Sequence, residues 1–229
     1  MNAVALSQQR QWRQARVVSG ALLAVSLLLL LLATAIGSTG LENLWNARHD
    51  PVSLQIIRDI RAPRALGAWL AGALLGLAGA IAQGLFRNPL ADPYLLGSAS
   101  GAGFGVGVAL VLMGTSPYAT GWLARVGITS AAFVGAVGAV LLTLLLARGV
   151  QHTLRLLLAG IVVGVVLGAL GALVMMMQPE VMLSMQGFML GSTGFVGWAS
   201  CLLMAIAWVL CTAAGMAMSR VLDGLSLGE

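Results

Sequence analysis

Val17–Ile36 is a run of twenty residues without a charge. At ~1.5 Å per residue, a helix of that length reaches across the ~30 Å hydrocarbon layer of a bilayer. Further apolar runs follow it, and only 8% of the chain is charged. A soluble domain carries about 25% charged residues. With apolar residues at 59% and a mean hydropathy of +0.97, bilayer rules replace the usual core argument. The expected fold is all-α, a polytopic bundle of transmembrane helices. Six spans are expected, at about 17–36, 65–86, 95–113, 128–147, 156–177 and 198–218. No small-residue cleavage site follows the first run, which therefore reads as a retained span.

The basic residues narrow the function. The formal charge is +5 and the pI near 10.6, but the arginines lie between apolar runs. Topology explains them better than nucleic acid does. All 12 basic residues are Arg. A phosphate-binding P-loop needs its lysine, so the chain does not hydrolyse ATP through one, and Schiff-base chemistry is excluded. Cys201 and Cys211, ten apart in an apolar run, read as packing residues. His49 and His152 fall in loops without a neighbouring His or Cys, so no metal site is expected. Gly97-Ser-Ala-Ser-Gly101 misses the nucleophile pattern of a serine hydrolase, and no span contains His. No catalytic constellation and no cofactor are expected.

Arg10, Arg13 and Arg16 precede the first span, and the next basic residue is Arg48. That asymmetry places the N-terminus in the cytoplasm. Gly37–Pro63 is then an outer loop, in which Val52, Ile56 and Ile60 recur every four residues. The spacing predicts a short amphipathic helix on the membrane surface. Arg87, Asn88, Pro89, Asp92 and Pro93 form an inner turn, because two prolines four apart forbid a continuous helix. Gln178-Pro-Glu180 marks the outer side, and Gly187–Gly197 is a Gly/Ser/Thr-rich lead-in to the last span. Seven arginines fall inside and five outside, so the outer group invites a functional reading.

Arg58, Arg61 and Arg64 share one face if helical. They snorkel to headgroups, or they dock carboxylates of an external partner. The methionines at 175, 176, 177, 182, 185 and 189 pack a core, line a path for a bulky apolar ligand, or bind Cu(I). Small residues repeat every four positions at Ala68, Gly72, Gly76 and Ala80, and at Gly160, Gly164 and Gly168. Such stripes are surfaces on which helices approach closely in lipid.

Several segments carry a family resemblance. They are Arg61-Ala-Pro-Arg64, the Asn88-Pro-Leu-Ala-Asp-Pro93 turn with Leu95-Leu-Gly97 and Ser100-Gly-Ala102, Arg155-Leu-Leu-Leu-Ala-Gly160, and Leu225-Ser-Leu-Gly-Glu229. The chain resembles the permease subunits of bacterial ABC importers for iron–siderophores, haem and vitamin B12, the FecCD/BtuC-like group. Ala62 departs from that group's usual Leu. The resemblance implies a helical bundle of roughly ten spans, each about 20 apolar residues long. It implies as partners a second permease subunit in a homo- or heterodimer, ATP-binding subunits, and a periplasmic or lipoprotein substrate-binding protein. Arg61 and Arg64 would dock acidic residues of that binding protein. Thr153 would fall at the cytoplasmic gate, and Asn88, Pro89, Asp92 and Pro93 in the inner-loop motif. Leu225, Leu227, Gly228 and Glu229 would begin the element coupled to the ATPase. The chain would then be a C-terminally truncated permease of the bacterial inner membrane. The alternatives are a non-transporting membrane scaffold, or a secondary transporter. The last would need a buried ionisable residue, and the six spans hold none.

Overall fold

The computed structural model describes residues 2–37, 40–41, 50–113, 122–148, 153–194 and 196–219. The chain divides into two compact units, Met1–Leu74 with Thr193–Cys211, and Leu75–Ser192 with Thr212–Glu229. Two helices, α3 (Ala62–Phe86) and α8 (Trp198–Ala217), contribute residues to both.

In the first unit, α1 (Asn2–Ala35) leads into a two-residue antiparallel bridge. Strand β1 (Ile36–Gly37) pairs with β2 (Gly40–Leu41), with Ile36 opposite Leu41. The apolar part of α1 runs over Trp12–Ala35, and its most apolar stretch is 0% buried. A helix apolar on every side and covered on none is a helix in lipid.

Helix α2 (Pro51–Ile56) starts at Asp50. The Asp50 carboxylate accepts from the Val52 and Ser53 amides at 3.2 and 3.3 Å, and from the Ser53 hydroxyl at 2.6 Å. These are the donors a helix start leaves without partners, and Pro51 removes one more. The Ser53 hydroxyl, then the Val52 amide, holds the Asp50 pKa below its ordinary value. A lowered folded-state pKa means the cap acts fully above about pH 3.9 and is lost as pH falls through the lower value. Asp50→Ala should therefore speed amide exchange at Val52 and Ser53 at neutral pH. The same change should appear in the parent only at strongly acid pH.

The expected short helix over residues 52–60 is present, but it does not end before the span that follows. Pro51–Phe86 is one helical stretch of 36 residues, in which a single π turn, Ile57–Arg61, joins α2 to α3. The cause is Pro63, which has no N–H to give. At the join the Ala62 amide bonds back to the Ile57 carbonyl, one residue further than in an α-helix. In that register the Arg58 carbonyl would take its bond from residue 63, and Pro63 cannot supply it. The indole Nε1–H of Trp198 donates to the Arg58 carbonyl instead, at 3.1 Å.

The second unit is built around α4 (Ser98–Met113), which packs on α5 (Trp122–Leu146), α6 (Thr153–Met177) and α7 (Pro179–Leu190). Val106, Leu110, Ile128, Val181 and Met185 form its core, with Ala132, Met175 and Phe188 against them. Gly101 and Gly135 lie backbone to backbone across α4 and α5, as do Gly105 and Ala131. A β-carbon on Gly101 would strike the Gly135 carbonyl, and one on Gly135 the Gly101 carbonyl. Close approach between helices, rather than a kink, explains why α4 is rich in glycine. Helix α7 departs from the expected lead-in: Pro179 opens it and Gly191, at φ +69, ends it. Both signals are of a kind a sequence displays.

Among the described residues, five helices are long and apolar enough to cross a membrane, the 36-residue stretch Pro51–Phe86 counted as one, and α4, at 16 residues, is shorter. Their outer faces carry Leu22, Phe133, Val165 and Leu203, all more than half exposed. This is a multi-pass membrane protein.

Candidate functional site

The turn after α3 is held by its own backbone and by two of its side chains. The Arg87 amide reaches the Gly84 carbonyl at 3.3 Å and the Asn88 amide the Gln83 carbonyl at 3.2 Å. This crossed pair closes a helix end, and it puts Arg87 at φ +49. Asn88 Oδ1 accepts from the Leu90 amide at 2.9 Å. Asp92 Oδ1 accepts from the Tyr94 amide at 2.7 Å and so caps a 3-10 turn, Pro93–Leu96. Pro93 sits at the first position of that turn, where no N–H is needed. Asn88, Asp92 and Pro93 therefore shape the turn, while Leu90 at its tip is 88% exposed.

The turn is then fastened to α5 and α6 within the second unit. Thr143, fully buried on α5, donates its hydroxyl to the Leu96 carbonyl at 3.0 Å. Gly160 of α6 lies directly against the Leu95 carbonyl. Gly97, at φ +78, lies so close to Gly160 and Gly164 that a β-carbon there would sit 3.3 Å from the Gly160 oxygen and the Gly164 nitrogen. The left-handed backbone and the lack of space both demand glycine. Asp92, Tyr94, Ser100, Gly160 and Gly164 are among the residues lining an open cavity of about 370 Å³ beside this contact. Thr153 begins α6, the helix that carries Gly160.

In the first unit, Arg58 and Arg61 lie on the π turn and Arg64 on the first turn of α3. Arg58 and Arg64 are exposed and Arg61 is half-buried. Arg64 donates from Nε and Nη2 to the Gly194 carbonyl, at 3.1 and 2.8 Å. A guanidinium has five N–H donors, so this bond leaves Arg64 able to meet a carboxylate as well. The buried Cys201 thiol donates to the Pro63 carbonyl at 3.1 Å. Val196 fills the space beside Gly67. Four ties thus hold the segment 194–201 to the start of α3, and none was foreseen from the sequence. A proline marks which carbonyls lose a partner, but not which distant residue replaces it. Trp69 and Trp208 pack edge to face at 5.9 Å in the same unit.

The remaining candidates separate. Met185 is buried and Met175 packs against the core, while Met176, Met177 and Met189 are exposed. No group of three or more His, Cys, Asp or Glu able to hold a metal occurs among the described residues. Gly72 and Gly76 of α3 have open space where a side chain would go, unlike Gly160. Leu225, Leu227, Gly228 and Glu229 lie outside the described residues, as do His49 and His152.

The chain is similar to a vitamin B12 import system permease protein, BtuC, of Salmonella paratyphi A. The two are 37% identical over 235 residues, 97% of this chain and 66% of that protein. A hemin transport system permease protein, HmuU, of Yersinia pestis is 36% identical over 94% of this chain and 65% of its own length. The chain thus spans about two thirds of these relatives. A solved structure of the inward-facing conformation of a metal-chelate type ABC transporter superposes with a TM-score of 0.71. It is 26% identical and covers 91% of this chain, which covers 63% of it. The sequence profile of the FecCD transport family matches residues 8–229, and together with the helical bundle just described this establishes that the chain belongs to that family.

Proposed function

We propose that this chain is a permease subunit of a binding-protein-dependent ABC importer, and that its cargo is a bulky chelate: an iron–siderophore complex, haem or a cobalamin. The observation that carries this is similarity along 97% and 94% of the chain to permeases named for vitamin B12 and hemin. One permease domain extends over residues 1–229, with six spans and a cytoplasmic N-terminus in the bacterial inner membrane. It pairs with a second permease subunit. ATP is hydrolysed on a separate subunit, in keeping with a chain that has no lysine.

Each site has a role in alternating access. Arg61 and Arg64 receive acidic side chains of the substrate-binding protein outside. Thr153, at the start of α6, belongs to the cytoplasmic gate. Leu225, Leu227, Gly228 and Glu229 take force from the ATPase. The Asn88–Pro93 turn, pinned to α5 and α6 through Leu95, Leu96 and Gly97, holds the inner ends of those helices in register.

The test is co-reconstitution of the chain with its ATPase and substrate-binding subunits in liposomes. ATP hydrolysis should rise on adding loaded binding protein, with uptake of cyanocobalamin, haemin or a ferric siderophore. A hydrolysis rate equal to that of the ATPase subunit alone would refute the proposal and leave a scaffold.

A further inference from the structure

Arg10, Arg13 and Arg16 are exposed and lie at three-residue steps on α1, so they fan over roughly 120° of one helix face. The helix does not end between these charges and the apolar run. Trp12–Ala35 is a candidate span with no part of its most apolar stretch buried. The arginines therefore stand where a lipid-surrounded helix leaves the hydrocarbon. Trp12, 69% exposed, stands among them at the level where indole rings favour the headgroup layer. Trp12, Arg13, Arg16 and Val17 line an open recess of about 770 Å³. Arg16 bends back one turn, its Nε donating to the Trp12 carbonyl at 3.4 Å. That turns its guanidinium back toward the Trp12 level and away from the apolar run, along the direction in which helical side chains lean. No acidic residue occurs before Glu42.

We infer that this face of α1 is a binding site for the phosphodiester headgroup of an anionic phospholipid. Guanidinium groups bind phosphate oxygens in pairs, and a neutral zwitterionic headgroup would set its own ammonium against them. The indole and Val17 cover the glycerol end, and the bare apolar turns beyond take the acyl chains. A free phosphate would satisfy the arginines alone and leave the apolar half of the recess unused. The site belongs to unit-one residues only and is independent of the transport role proposed above.

The experiment uses the full chain in vesicles of equal phosphatidylglycerol and phosphatidylcholine. Gentle detergent extraction and native mass spectrometry then identify the lipids retained. The parent should keep phosphatidylglycerol in preference to phosphatidylcholine. Each arginine near a charged surface is worth roughly five-fold in lipid affinity, so Arg13→Gln with Arg16→Gln should lower phosphatidylglycerol retention about 25-fold. Both leaflets carry the lipid, so a change in orientation does not remove it. Arg13→Lys with Arg16→Lys keeps the charge and should fall between the two, while Trp12→Ala should weaken retention with all three arginines present. Equal retention of both lipids by the parent would overturn the inference, as would unchanged retention by the Gln variant. Displacement by excess inorganic phosphate of every retained lipid would assign the site to free phosphate. A dimer that excludes lipid at α1 would assign it to a second copy, and would also overturn the inference.

Discussion

Replacing Arg61 and Arg64 together by glutamate should weaken capture of the cognate substrate-binding protein at least ~100-fold. Close charge pairs across an interface are worth about 1.5–7 kcal/mol, and ~1.4 kcal/mol is tenfold in affinity. Reversal also sets like charges against each other, so the remaining affinity should no longer fall with added salt and should rise as salt screens the repulsion. The structure adds a complication that the sequence did not contain. Arg64 already donates to the Gly194 carbonyl through two nitrogens, so its replacement also releases the segment before α8. A hydrogen bond from a charged group is worth about 1.5–3 kcal/mol, and an exposed one falls at or below the low end. Arg61→Glu leaves the Arg64 bond in place, so comparing the two single variants shows which losses follow that bond. Affinity measured against salt, alongside thermal stability, distinguishes the roles. If Arg61→Glu binds like the parent, and only Arg64 variants lose affinity together with stability, the arginine pair is a brace and not a docking site.

The second large effect is expected between α4 and α5. Gly135→Val should lower the midpoint of thermal unfolding in detergent by roughly 2–12 °C. The added atoms would lie on the Gly101 carbonyl, and backbone cannot swing aside as a side chain can. Overpacking a well-filled contact costs about 1–3 kcal/mol, and ~1 kcal/mol moves the midpoint of a chain this size by about 2–4 °C. Gly101→Val should do the same. The two together should fall short of the sum, because either one alone already separates the helices. Gly138→Ala is the control on the same helix, since its position is open. That change should be neutral or slightly stabilising, as alanine is the better helix former by roughly 1 kcal/mol. Equal loss at Gly135 and Gly138 would mean that α4 and α5 do not meet at these glycines.

These glycines mark the boundary of what could be read in advance. The stripes at Gly72 and Gly76 and at Gly160, Gly164 and Gly168 look alike in sequence. Only the second is used within the described structure, where Gly160 meets the Leu95 carbonyl and Gly72 and Gly76 meet nothing. Spacing reveals a surface that permits close approach, but not the neighbour that comes. The methionines divide for the same reason, with Met185 in the core and Met176 outside it.

The amino-acid sequence by itself determined that this chain lives in lipid as a set of helices. It also determined where the turn around Pro89 and Pro93 must fall. Hydropathy over a span and the missing N–H of proline are local properties, complete within a few residues. Local signals for α7 are present too, in Pro179 at its start and Gly191 at its end. The tertiary structure alone decided that Trp198 satisfies the Arg58 carbonyl deprived by Pro63, and that Cys201 adds a bond to the Pro63 carbonyl. It decided that residues 51–61 continue into α3, and that Arg64 serves the Gly194 carbonyl. Each of these joins residues more than 100 positions apart or depends on such a join. A hydrogen bond across that distance depends on where two backbones are brought together, which no spacing along one of them records.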